Sequence, residues 1–248
     1  MKQTIAIMVL VLIACSAMVE PATTTHKTHN KTDSGFAVLE LFTSEGCSSC
    51  PPADELLARI QQEEDQSVYV LAYHVDYWNR LGWKDVFSKP EYSRRQYTYN
   101  KLFTSQVYTP QVIINGKLER LGSDETTIRD GLKKVKEEHT LTSLKLVLQT
   151  RQHLSYETGN ITPNDRLVIA IVQKQAVSYV KKGENEGRTL SHVQIVRSLS
   201  LFDLKHRNKG TVPIQLPQDF DAQGWEVIGM IQDMQTGVIK AAGRASQG

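Results

Sequence analysis

Residues 42–54 read FTSEGCSSCPPAD and contain two cysteines, Cys47 and Cys50, between an apolar run and a helical pattern. The run before them, AVLELF at residues 37–42, predicts a buried strand. The leucines and isoleucine after them recur at helical spacing, with polar residues on the opposite side. The cysteine pair is therefore expected where a strand ends and a helix begins, and the first turn of that helix brings its sulfurs within reach of each other.

A second apolar run, VYVLAYHV at residues 68–75, completes a strand–helix–strand unit. The aromatic-rich segment 76–103 is interpreted as a loop with one or two helices, and Ser88-Lys89-Pro90-Glu91 is typical of a helix start. Thr109-Pro110 then leads into a strand that ends at Asn115-Gly116, which is a type I′ hairpin signal.

A third helix is predicted after the hairpin, with Ser123 as its N-cap and its end near His139. Beyond residue 140 the pattern changes to short apolar runs separated by turn residues, which indicates a small β-sandwich. The predicted strands are 144–150, 166–173, 193–202, 212–216, 225–231 and 238–242.

Four segments, FTSEGCSSCPPAD, HVDYWNRLGW, YTPQVIING and GENEGRTLSHVQIVR, resemble an exported bacterial family known as domain of unknown function 1223. The order of elements also resembles the thioredoxin fold. The resemblance to thioredoxins implies an α/β thioredoxin-like domain over residues 35–139, and the strand pattern beyond it predicts a smaller all-β, sandwich-like domain over residues 140–248.

The resemblance to thioredoxins also implies that Pro110 is cis and faces the cysteine pair. Thr109 would then present its backbone to an extended substrate peptide opposite Cys47, with Tyr108 beside it. The alternative is a trans proline that simply begins a strand. Two roles are open for Trp78 and Trp83: they line a substrate groove, or they pack in the core of the helical segment.

The cysteine pair is expected to carry out thiol–disulfide exchange. Cys47 lies nearer the loop and is the candidate nucleophile, and Cys50 would resolve the mixed disulfide. A helix N-terminus favours thiolate over thiol, but Glu45 would oppose a thiolate nearby, and Pro52 requires a late or distorted helix start. A structural disulfide and a non-catalytic binding module remain alternatives.

His74 follows the second strand and is a candidate site residue, whether in substrate binding or in proton transfer. Together with Cys47 and Cys50 it is also the candidate ligand set for copper or another metal, because thiolates and imidazole suit such ions. No cofactor is expected for the exchange reaction. The net charge of +2 and the scattered basic residues argue against nucleic acid as a partner.

Residues 1–15 resemble a lipoprotein-type signal peptide, because an apolar run ends in Leu-Ile-Ala-Cys at residues 12–15. Cys15 would be lipidated and would hold the protein to a membrane of the cell envelope, facing the periplasm or the outer surface, with residues 16–34 as a flexible tether. An ordinary secretory signal that discards Cys15 is the alternative. Export permits a Cys47–Cys50 disulfide, and the expected partners are protein thiols or disulfides.

Overall fold

The computed structural model describes residues 35–64, 66–138, 140 and 142–248. The predicted signal peptide, the lipidation site Cys15 and the predicted tether lie outside these residues. Within the described part of the chain, no helix has the length and apolar character needed to cross a membrane.

The cysteine pair lies in a parallel strand–helix–strand unit, as predicted. Strand β1 (Ala37–Thr43) and strand β2 (Val68–His74) are paired in parallel, and helix α1 (Pro51–Glu63) connects them. Both strands are buried along their whole length, which explains their nearly continuous apolar sequences.

The middle of the chain contains a short 3₁₀ helix (Tyr77–Leu81), helix α2 (Pro90–Phe103), strands β3 (Gln111–Ile114) and β4 (Leu118–Leu121), and helix α3 (Glu125–Lys136). The type I′ hairpin is confirmed, because Asn115 and Gly116 have φ angles of 49° and 63°. The N-cap of α3 is Asp124, whose carboxylate accepts a hydrogen bond from the Thr127 amide; the prediction of Ser123 was wrong by one residue.

The remaining chain is all β. Its strands are β5 (Leu144–Thr150), β6 (His153–Thr158), β7 (Asp165–Tyr179), β8 (Thr189–Asp203), β9 (Lys209–Pro213), β10 (Trp225–Asp233) and β11 (Ile239–Gln247). The long strands β7 and β8 form a hairpin, and β10 pairs with β7. Strands β11, β5, β6 and β9 follow β10 toward the edge of the sheet.

All eleven strands belong to one mixed sheet, in the order β4-β3-β1-β2-β8-β7-β10-β11-β5-β6-β9. The predicted fold class, an α/β thioredoxin-like domain followed by a smaller all-β domain, is therefore wrong. The part of the chain that the structure describes is mostly β, with three short α-helices. The two sets of strands join where β8 lies beside β2, with Ala72 opposite Ile195.

A shared core is the physical reason for this single sheet. Helices α1 and α3 cover one face of β1 and β3 with an apolar cluster that includes Leu57 and Ile128. On the other face, side chains from β1 and β2 pack with α2 and with side chains from β7, β8 and β10, such as Val168 and Met230. Strands on both sides of residue 140 thus bury the same apolar surface, which two separate domains would each have to cover alone.

A second junction between the two sets of strands lies at the type I′ turn. The amide of Ile239, in β11, donates to the carbonyl oxygen of Asn115 at 2.9 Å. A Cβ atom on Gly116 would lie 1.9 Å from the carbonyl oxygen of Gly237. The turn therefore needs glycine both for its left-handed conformation and for this close approach.

Candidate functional site

The cysteine pair forms a disulfide in the loop between β1 and α1, and both residues are fully buried. The intervening residues Ser48 and Ser49 are exposed. The backbone closes around the pair, because the Cys50 amide donates to the Cys47 carbonyl oxygen at 3.2 Å and the Cys47 amide donates to that of Ser44 at 3.1 Å. The disulfide is thus held beneath a two-residue exposed bridge.

Helix α1 begins after the disulfide, with Cys50 as its N-cap and Pro51 and Pro52 in its first two positions. This explains how the two prolines fit, since those positions need no amide hydrogen for the helix ladder. Of the two possibilities that Pro52 left open, a late or a distorted start, the structure has the late one. Because the two prolines lack N–H groups, the helix offers fewer free donors to the sulfurs than an ordinary N-terminus.

The Thr109–Pro110 peptide bond is cis, as the resemblance implied, and lies beside the disulfide. The Thr109 carbonyl oxygen is 3.8 Å from the Cys47 sulfur and 3.5 Å from the Ser49 hydroxyl. The two predicted site elements, which are about sixty residues apart in sequence, are therefore in contact.

Trp78 closes one side of this contact. Its indole N–H donates to the Thr109 hydroxyl at 2.8 Å, and its Cβ would lie 3.1 Å from a Cβ atom on Gly46. Tyr108 is partly buried. Its hydroxyl donates to the Glu119 carboxylate, and burial, together with this carboxylate, raises the pKa of the Tyr108 phenol.

His74 lies at the end of β2 and is fully buried, so no surface of it is open to a substrate in this form of the protein. Its Nδ1 is 2.7 Å from the Asp85 carboxylate. Burial opposes the charged imidazole, but Asp85 outweighs it with help from Asp54 and Glu45, and the pKa of His74 is raised. Burial likewise opposes the charge on Asp85, but His74 lowers the pKa of that carboxyl.

Asp85 also joins the disulfide loop to the segment after β2. One carboxylate oxygen accepts from the Glu45 amide at 2.9 Å, and the other accepts from the Phe87 amide at 2.9 Å. Asp54, in the first turn of α1, accepts from the Thr43 hydroxyl at 3.0 Å. Burial raises the pKa of Asp54, although His74 and His192 oppose this effect.

Glu45 is fully buried beside the disulfide loop. It accepts a 2.6 Å hydrogen bond from the Trp83 indole and lies 3.5 Å from the imidazole of His192. The rings of His192 and His74 are 5.0 Å apart, measured between their centres. A buried polar cluster of carboxylates and imidazoles therefore underlies the loop, and Trp83 belongs to it.

The tip of the β7–β8 hairpin, residues 183–188, holds the disulfide loop from the other side. We call this segment the hairpin tip. The Asn185 amide nitrogen donates to the carbonyl oxygens of Glu45 and Cys47, each at 2.9 Å. The Glu184 carboxylate accepts from both the amide and the hydroxyl of Ser48, at 3.1 and 2.7 Å.

In the sequence analysis the residues of this tip contributed to the family resemblance, within GENEGRTLSHVQIVR, but had no predicted role in the site. No local pattern identifies it as part of the site, because the partners of Asn185 lie 138 and 140 residues away. Its two glycines were the available signal. Both Gly183 and Gly187 have positive φ angles, which mark a loop with a defined shape.

No group of three or more His, Cys, Asp or Glu side chains among the described residues is arranged to hold a metal ion. The proposed copper set of Cys47, Cys50 and His74 is not such a group, since the cysteines are joined to each other and His74 is bonded to Asp85.

Two solved structures share the fold of this chain. A crystal structure of a protein from Agrobacterium tumefaciens is 29% identical, covers 84% of this chain and 92% of its own, and has a TM-score of 0.68. HBP35 of Porphyromonas gingivalis is 16% identical, covers 86% of this chain and 76% of its own, and has a TM-score of 0.59.

No curated protein matches the chain. The model of the family described as "Protein of unknown function (DUF1223)" matches residues 38–232, which include the disulfide loop, Thr109-Pro110 and the hairpin tip. The chain therefore belongs to the DUF1223 family.

Proposed function

We propose that this protein exchanges disulfides with thiol partners through Cys47 and Cys50. The observation that carries the proposal is the contact between the Cys47 sulfur and the Thr109 carbonyl oxygen, 3.8 Å apart. A backbone carbonyl beside a sulfur offers an incoming extended peptide a hydrogen-bond acceptor at the reacting atom. The nearby indole of Trp78 fixes Thr109 from its other side.

The exchange needs no cofactor. A partner thiolate attacks the Cys47 sulfur, the Cys47–Cys50 bond breaks, and Cys50 leaves as a thiolate. A second partner thiolate then attacks the partner sulfur of the mixed disulfide and releases Cys47. Two electrons pass to this protein, and the partner dithiol becomes a disulfide. In the reverse sequence the Cys47 thiolate attacks a partner disulfide, Cys50 resolves the mixed disulfide, and the partner is reduced to a dithiol.

The short spacing of the pair supports reactivity over a purely structural role. A bond that closes a loop of so few residues removes little entropy from the unfolded chain. The stability gained by such a bond is small compared with that from a bond that closes a long loop.

A structural disulfide is the second candidate, and the complete burial of both cysteines favours it. In that case the site would be a rigid binding surface without turnover.

The reduction potential of the Cys47–Cys50 pair separates the two candidates. The full chain with Cys15→Ser is equilibrated with glutathione buffers, so that one disulfide couple remains. Exchange proteins lie at about −120 to −270 mV, and structural disulfides lie below about −300 mV. A value in the first range supports the exchange function, and a value in the second refutes it.

The proposed location is the cell envelope, with a lipid on Cys15 as the membrane anchor. This part of the proposal rests on the sequence of residues 1–15. Replacement of Cys15 by Ser in the native host is expected to move the protein from the membrane fraction to the soluble fraction. Retention in the membrane fraction would contradict a lipid anchor at this residue.

A further inference from the structure

The disulfide is not accessible in this form of the protein. Cys47 and Cys50 are both fully buried, and only the bridge residues Ser48 and Ser49 reach the surface. A sulfur atom that attacks a disulfide must approach along the S–S axis, so any exchange requires that part of the cover moves.

The hairpin tip is one part of this cover that comes from outside the strand–helix unit, and Thr109, beside the Cys47 sulfur, is another. Its contacts with the disulfide loop are polar. Asn185 donates two hydrogen bonds to loop carbonyls, and Glu184 accepts two from Ser48. Asn185 is itself buried, and its side-chain oxygen is held by Arg188 at 2.8 Å. Movement of the tip away from the loop would break these four hydrogen bonds and expose Asn185.

The backbone of the tip is suited to such a movement. Gly183 and Gly187 flank the two anchoring residues, and both have φ angles near +80°. A side chain at Gly187 would meet open space, so no packing holds that position. At the base of the tip, the Val180 amide donates to the Arg188 carbonyl oxygen at 3.0 Å and the Gly187 amide donates to that of Val180 at 2.9 Å, so these hydrogen bonds stay within the hairpin. The tip can therefore swing about its glycines without breaking the sheet.

We propose that the hairpin tip is a lid on the Cys47–Cys50 disulfide and that Asn185 is the positioning residue that keeps it closed. The proposal deepens the exchange function and rests on it for its biological role. Opening breaks the four bonds to the loop and frees the Cys47 side for an incoming sulfur. Closing shields the disulfide from thiols that do not displace the tip.

The experiment measures the rate at which a phosphine, TCEP, reduces the disulfide of the full chain with Cys15→Ser. The phosphine attacks one sulfur, water supplies the oxygen of the phosphine oxide, and the two hydrogens of that water end on the cysteine thiols. This reduction proceeds whatever the potential of the couple.

Asn185→Asp is the sharpest variant. Aspartate has the shape of asparagine and keeps an acceptor for Arg188, but it loses both hydrogen bonds to the loop carbonyls and faces them with negative charge. We expect reduction about tenfold faster than in the parent protein, or more.

Glu184→Gln, on the exposed side of the lid, should give a smaller increase in the reduction rate. Glu186→Gln is the matched control, because Glu186 is exposed and its side chain has no polar contact among the described residues; its rate should equal that of the parent.

Urea distinguishes lid opening from unfolding. Reduction through a local opening changes little in low urea, whereas reduction through global unfolding accelerates steeply, since urea acts in proportion to the exposed surface. Equal rates for Glu184→Gln, Glu186→Gln and the parent would overturn the lid even if Asn185→Asp failed to fold. So would a steep urea dependence in the accelerated variants. The proposed function fails on a different result, a glutathione potential below about −300 mV, which leaves the order of the TCEP rates unchanged.

Discussion

The side-chain amide of Asn185 donates a 2.9 Å hydrogen bond to the carbonyl oxygen of Cys47, which lies 138 residues earlier in the chain. It donates a second bond of the same length to the carbonyl oxygen of Glu45. One buried side chain thereby donates to two backbone acceptors of the loop, of which the Cys47 carbonyl oxygen also accepts from the Cys50 amide. The conformation of the disulfide loop depends on a hairpin that the chain completes much later.

Asn185→Ala should lower the free energy of unfolding by roughly 1–3 kcal/mol, because it removes two hydrogen bonds to carbonyl oxygens of the disulfide loop and leaves only the Cys50 amide as a donor to that of Cys47. Urea denaturation of the oxidised protein measures the change. Glu186→Ala changes the exposed residue next to Asn185 in the hairpin tip. Its free energy of unfolding should stay within about 0.5 kcal/mol of that of the parent. Equal effects of the two substitutions would show that the Asn185 bonds contribute nothing specific.

Cys50→Ser should trap a mixed disulfide on Cys47, whereas Cys47→Ser should not trap one on Cys50. The Thr109 carbonyl oxygen lies beside the Cys47 sulfur, so a partner is guided to that atom. Removal of the second thiol leaves no internal group to release the partner. Mass spectrometry after incubation with oxidised glutathione measures the adduct on each variant. Preferential trapping on Cys50 would reverse the assigned roles.

Much of the fold could be predicted from local patterns. The buried runs of β1 and β2, the helical spacing in α1 and the Asn115-Gly116 turn each act through neighbouring residues, and all were found. Strand β6 was missed, although Leu154 and Tyr156 alternate with exposed or partly exposed residues at strand spacing. The pairing of β8 with β2 could not be seen, because nothing in either strand specifies a partner so distant in sequence.

The residues of the candidate site also fall into those that local patterns predict and those that depend on contacts between distant parts of the chain. Cys47 and Cys50 were proposed because two cysteines at this spacing indicate dithiol chemistry, and Pro110 was proposed through the resemblance to thioredoxins. The Asn185 contact was not, since a loop asparagine is ordinary in sequence. The expectation that Glu45 opposes a thiolate depended on its distance from the Cys47 sulfur, which a sequence does not give. The structure bonds Glu45 to Trp83, where its carboxylate is part of the buried cluster.

The buried His74–Asp85 pair should make stability depend on pH. The raised pKa of His74 means that its contribution is fully present below about 6.5, its unfolded value, and is lost as pH rises through the folded pKa. Asp85 has a lowered pKa, so its contribution is present above about 3.9 and is lost as pH falls through the folded pKa. Stability from the pair is therefore greatest between those limits.

Urea denaturation of the oxidised protein at pH 5.5 and pH 8.5 checks this prediction, with a lower free energy of unfolding expected at the higher pH. Asp85→Asn is the control, because it removes the main cause that raises the pKa of His74 and leaves burial opposed only by Asp54 and Glu45. Asp54, whose pKa is raised by burial, adds a loss of the same sign that begins at lower pH. The same decline from pH 5.5 to 8.5 in Asp85→Asn would exclude the pair as its cause.

The two prolines after Cys50 should make the disulfide harder to reduce than one at an ordinary helix N-terminus. Free N–H groups there stabilise a thiolate and thus the reduced form, and Pro51 and Pro52 remove two of them. Pro52 is exposed, so Pro52→Ala restores one donor without opening a cavity. We expect the reduction potential to rise by up to about 30 mV, which corresponds to about 1.4 kcal/mol.

Glutathione equilibration measures the shift, with Pro163→Ala, an exposed proline in the turn before β7, as the control. An unchanged potential in Pro52→Ala would mean that the helix start does not act on the sulfurs, and the potential would then be set by Thr109 and the buried cluster.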